Sequence, residues 1–151
     1  MPDETEQNIR ADIDRYGWSV ICVPECAEGP SFAYSVGMMH TLNHPEIVIL
    51  GLDVEPLWRI INGIGDDVRA GRSFADPGLY EGVIEGFACK VIPVAEAHHT
   101  TYLGYAMWHR RHLGRIGTLR AVQCLWPDRH GRFPDEQGCH PDVARLQPRL
   151  Q

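Results

Sequence analysis

The chain opens on a polar stretch in which Ile9, Ile13 and Tyr16 recur at i, i+4 and i+7, and Gly17 follows directly. That spacing predicts a helix over residues 4–16 with a glycine stop. Trp18-Ser-Val-Ile-Cys-Val23 is apolar and β-branched between Gly17 and Pro24, and Phe32-Ala-Tyr-Ser-Val36 ends at Gly37. Both read as strands, and the short polar link between them predicts a hairpin. Ile47-Val-Ile-Leu50 is a continuous apolar run, the pattern of a strand covered on both faces. A strong amphipathic helix follows, with Asp53 as its cap, Leu57, Ile60, Ile61, Ile64 and Val68 on one face, and Gly71 as its end. Residues 73–86 are glycine-rich and irregular, with room for a short edge strand at most. Strands are predicted over 87–94 and 119–126. Between them a single helix is predicted over 95–113, with Tyr102, Tyr105, Ala106 and His109 along one face.

Strands and helices are interspersed, but the first two strands are joined too tightly for a helical crossover. The expected fold class is therefore α+β: a mostly antiparallel sheet of about five strands with helices packed on a face. A regular doubly wound sheet is the alternative. One domain over 1–151 is expected from the length.

Composition narrows the function classes. No apolar run approaches the roughly 20 residues of a membrane span. The acidic, polar N-terminus is the reverse of a signal peptide, so a cytoplasmic location is expected. A net charge of −6 disfavours a general nucleic-acid coat. Five cysteines, an odd number, fit reduced thiols, and Cys22, Cys89 and Cys124 lie in apolar runs that predict core packing. Lys90 is the sole lysine and hence the sole candidate for Schiff-base chemistry. No GxGxxG, P-loop or CxxC motif occurs, so the sequence names no cofactor.

Several clusters carry candidate chemistry. His40 and His44 are four apart, the spacing of two metal ligands on one helix face, but Pro45 opposes a helix there and no metal is assigned. His44 is instead a candidate proton-transfer or ligand-orienting group at a pocket rim, with Glu46 beside it. Trp126-Pro-Asp128 with Arg132 forms either a strand-ending turn or a pocket floor made of an aromatic wall, a carboxylate and an anion-binding fork. Tyr34 offers a hydroxyl; the neighbouring Ser35 lacks a GxSxG setting. Cys139 and His140 with His130 fall short of a four-ligand zinc set unless the distant Cys26 joins. Between Glu96 and Asp128 there is no acidic residue but four arginines, of which Arg110, Arg111 and Arg115 form an expected anion patch at a helix C-terminus.

The motifs FAYSVG (32–37), HPE (44–46), Gly51-Leu52, Gly17-Trp18 and QCLWPDRHGRFP (123–134) together resemble a bacterial family of unknown function, number 4262 among the domains of unknown function. The resemblance covers residues 17–138 and leaves 139–151 as a tail. It implies a compact α+β domain and no activity.

The leading expectation is a small-ligand or protein-binding domain without assignable catalysis. One alternative is an enzyme using His44, Tyr34 and Asp128 for acid–base chemistry on a small anionic substrate, which requires those groups to converge with Trp126 and Arg132 on one concave site. The other is an acidic, immunity-type interaction protein.

Overall fold

The structure, a computed structural model, describes residues 3–115 and 119–151. Along the chain come α1 (Glu4–Tyr16), β1 (Ser19–Val23), β2 (Phe32–Val36), α2 (Met38–Thr41), β3 (Glu46–Leu50), α3 (Val54–Arg69), β4 (Gly78–Ile84) and β5 (Phe87–Pro93). A 3-10 turn (Glu96–His98) then leads to α4 (His99–Tyr102), α5 (Gly104–His112), β6 (Ala121–Leu125) and α6 (Pro141–Leu146). The six strands form one sheet in the order β1-β2-β3-β6-β5-β4. Every pairing is antiparallel except the central one, β3 with β6. The fold class is thus α+β as expected, with six strands where about five were expected. The additional strand, β4, falls in the glycine-rich stretch.

Each face of the sheet has its own core. On one, α3 lays Leu57, Ile61 and Ile64 against Ala33, Ile47, Ile49 and Val91. On the other, Ile9 and Ile13 of α1 meet Val36, Val48, Leu103 and Ala106. The alternation of β3 between these two cores explains its continuous apolar run: all five of its residues are buried. Helices therefore cover both faces rather than one.

Some local expectations are corrected. Asp53 occupies the N-cap of α3, but its side chain makes no capping hydrogen bond. The single helix expected over 95–113 is broken at Leu103, whose backbone (φ −127°, ψ 35°) leaves the helical region while its side chain is fully buried. Burial of Leu103 prevails over continuation of the helix, and Gly104, a poor helix former, follows. Cys89 and Cys124 are core residues, as expected, whereas Cys22 is half-buried. Lys90 is ion-paired with Asp135.

The tail is stitched to the sheet. Gln147 donates to the Trp126 carbonyl at 2.8 Å and accepts from the Trp126 N–H at 2.9 Å, acting as a short surrogate strand beside the end of β6. Buried Gln123 completes the seam: it donates to Pro148 O at 2.9 Å and accepts from Leu150 N at 2.7 Å. Leu150 enters the core beneath α1 and α5. No described helix is long and apolar enough to cross a membrane.

Candidate cleft at the N-terminal end of the central strands

Glu46 begins β3 and is fully buried. Its carboxylate accepts the Ser35 hydroxyl at 2.7 Å and the backbone N–H groups of Gly37, Met38 and Met39 at 3.1, 3.1 and 3.2 Å. These three N–H groups are the orphan donors at the start of α2. Gly37 turns the chain there with φ 104°, and a Cβ on it would meet Ile13 at 2.7 Å. FAYSVGMM is therefore a strand, a tight turn and a helical turn closed around one carboxylate. Burial pushes Glu46 up to about 7, against the lowering effect of its four donors.

His44 is equally committed. Its Nδ1 donates to Pro45 O at 2.8 Å, and its Nε2 accepts the Phe74 N–H at 2.9 Å. Both nitrogens being used, the imidazole is a neutral clip between the start of β3 and the loop after α3. Burial holds it below the usual histidine range. His40, its expected metal partner, is exposed and lies edge-on to His109 with ring centres 5.9 Å apart. Among the described residues, no group of three or more His, Cys, Asp or Glu side chains could hold a metal ion.

Asp128, Trp126 and Arg132 sit elsewhere. β3 and β6 run parallel, with Glu46 opposite Ala121 and Val48 opposite Gln123. His44 precedes β3 at one end of this pair, while Trp126 and Asp128 follow β6 at the other. The convergent site expected from His44 and Asp128 is thus overturned, because the two lie at opposite ends of the sheet. At its own end, Asp128 accepts from the N–H groups of His130, Arg132 and His140 at 2.9, 2.9 and 3.0 Å. The Arg132 N–H and these companions hold its carboxyl below the usual range. Trp126 donates its indole N–H to Leu50 O at 2.7 Å, and Arg132 donates to Gly138 O at 3.1 Å. His140 of the suggested zinc set accepts from Asp142 N at 3.1 Å. Tyr34 joins neither end: it lies mid-strand opposite Val48, and its hydroxyl accepts from Tyr105 N at 3.0 Å. Burial raises its phenol to about 12.

A cleft of about 610 Å³ opens at the His44 end. Pro45 before β3, Val94 after β5 and the first residues of β6 form its floor, and the last turn of α5 supplies Arg110 and Arg111. Arg120, at the entry to β6, is a third arginine, and Glu96 and His99 close the side made by the 3-10 turn and α4. Arg110, placed in the expected anion patch, is buried, at 6% exposed. Burial lowers its guanidinium, and the like charges of Arg115 and Arg120 add to the effect while Glu46 opposes it. Arg111 and Arg120 are exposed, and among the described residues neither is in a salt bridge. Arg115 is exposed but contributes nothing to the cleft wall.

His99 belongs to this wall and was not singled out by the sequence. It is 8% exposed, and its Nε2 is buried without a hydrogen-bond partner. Burial holds it below the usual histidine range. The sequence signal available for this cleft was the run of arginines without acidic residues; His99 had none, since its setting depends on the helix break at Leu103.

A family model described as Domain of unknown function (DUF4262) matches residues 12–140, and the chain belongs to that family. No curated protein and no solved structure matches it.

Proposed function

We propose that the protein is a small-ligand-binding domain whose ligand is anionic and occupies the cleft at the N-terminal end of β3 and β6. The observation that carries this reading is the gathering of Arg110, Arg111 and Arg120 on one concavity of about 610 Å³, a volume suited to a small molecule. Guanidinium groups present fixed forks of donors that match carboxylate and phosphate oxygens. Of the three, Arg110 is buried, where such a contact is stronger than in open solvent. No catalytic step is assigned, because His44, Tyr34 and Asp128 are each held by backbone groups and do not share a site.

Calorimetric titration with inorganic phosphate and ethyl phosphate tests the reading. Binding is expected in low salt and is expected to weaken as ionic strength rises. The double variant Arg111→Gln, Arg120→Gln, which changes two exposed side chains, should lose at least about tenfold in affinity with an unchanged melting temperature. Equal binding by this variant, or no binding by the native protein, overturns the reading.

A further inference from the structure

The cleft has two chemically different sides. The arginines come from the end of α5 and the entry to β6, whereas the side formed by the 3-10 turn and α4 offers acceptors. Glu96 is exposed there and acts electrostatically on His99. The imidazole of His99 is buried in the same wall. Its Nε2 is buried and has no hydrogen-bond partner, and with the proton of the neutral ring on Nδ1 it is a lone-pair acceptor. A buried polar atom left in this state carries a desolvation cost that any suitable donor removes. An ammonium group is all donor, with three N–H bonds and no acceptor, and fits a side made of a carboxylate and an imidazole lone pair.

Resting on the anion-site reading above, we propose that the ligand class is an anion bearing a protonated amine, its anionic group held by Arg110, Arg111 and Arg120 and its ammonium by Glu96 and His99 Nε2. His99 and Glu96 are specificity-determining residues in this arrangement: they select the amine end and leave the anion end to the arginines. Nε2 is buried from solvent, so seating the ammonium shifts the imidazole or the α4 turn that carries it. That shift makes His99 a reporter of binding.

The test compares three phosphate monoesters that differ at one position: O-phosphoethanolamine, 2-hydroxyethyl phosphate and ethyl phosphate. Calorimetry on the native protein is expected to rank them in that order, with about tenfold between the first and last. In long-range proton–nitrogen NMR spectra of histidine-labelled protein, Nε2 of His99 should shift on addition of O-phosphoethanolamine and remain unshifted with ethyl phosphate. Glu96→Gln, at an exposed position, should bring the affinity ratio between O-phosphoethanolamine and ethyl phosphate close to one; His99→Phe should do the same where circular dichroism shows it folded. Equal affinities for all three esters in the native protein overturn the proposal and leave the anion site standing. Failure of all three to bind overturns both.

Discussion

The Ser35 hydroxyl donates to Glu46 Oε1 at 2.7 Å while its oxygen accepts the Ile47 N–H at 2.9 Å, so one side chain links β2 to β3 and also serves the carboxylate that closes α2. All of these atoms are buried. Ser35→Ala removes a donor from the carboxylate and orphans the Ile47 N–H. It should cost about 1–3 kcal/mol in urea unfolding.

Glu46 also sets a pH dependence. Its carboxyl is raised from 4.5 to about 7 in the folded protein by burial. Between these values the folded state holds a proton that the unfolded chain has released, so this group makes stability fall as pH rises through the window. Glu46→Gln cannot titrate. The difference in unfolding free energy between native protein and variant should therefore move against the native protein on going from about pH 5 to about pH 8. A constant difference would show that the carboxyl titrates alike in both states.

His109 acts with the opposite sign. Burial, and then the neighbouring His40, His112 and Arg110, lower it from 6.5 to about 4. The unfolded chain takes up a proton first as pH falls, so the contribution of neutral His109 is present above 6.5 and is lost between 6.5 and 4. His109→Gln should flatten the fall in melting temperature over that range. An unaltered profile would place the acid sensitivity elsewhere.

Two glycines of α3 should respond in opposite directions to the same substitution. A Cβ at Gly63 meets nothing within 4 Å, so Gly63→Ala should stabilise by about 0.5–1 kcal/mol through helix propensity. A Cβ at Gly65 would lie 2.4 Å from the Trp18 ring, which is buried and donates its indole N–H to Asn62 at 2.8 Å. Gly65→Ala should destabilise by about 1–3 kcal/mol, as overpacking does. Thermal unfolding of the two variants side by side checks both signs.

The C-terminal seam is expected to be structural. Gln147 is 1% exposed and pairs with both backbone groups of Trp126. Gln147→Ala leaves a strand-end N–H and C=O without partners and should cost about 1–3 kcal/mol. A loss below about 0.5 kcal/mol, the ordinary size for a surface change, would show that the seam contributes little.

The elements legible in the sequence are those whose signal is local. The face of α3 is read from helical spacing because Leu57, Ile61 and Ile64 must share one side wherever the helix packs, and the structure buries all three. The run at 47–50 marks a strand with both sides covered because only such a strand has no polar face. The β1–β2 hairpin follows from the brevity of its link. The gathering of functional groups is not local. It depends on β6 returning alongside β3 in the same direction after the β4–β5 excursion, which sends His44 and Asp128 to opposite ends of the sheet. No spacing in the chain encodes that adjacency, since it arises from the packing of two separate cores on the sheet. The unpartnered nitrogen of His99 has the same origin. Burial of Leu103 breaks an otherwise continuous helix, and that break, combined with the meeting of β3, β5 and β6 at one end, puts His99 in the wall of the same cleft as three arginines.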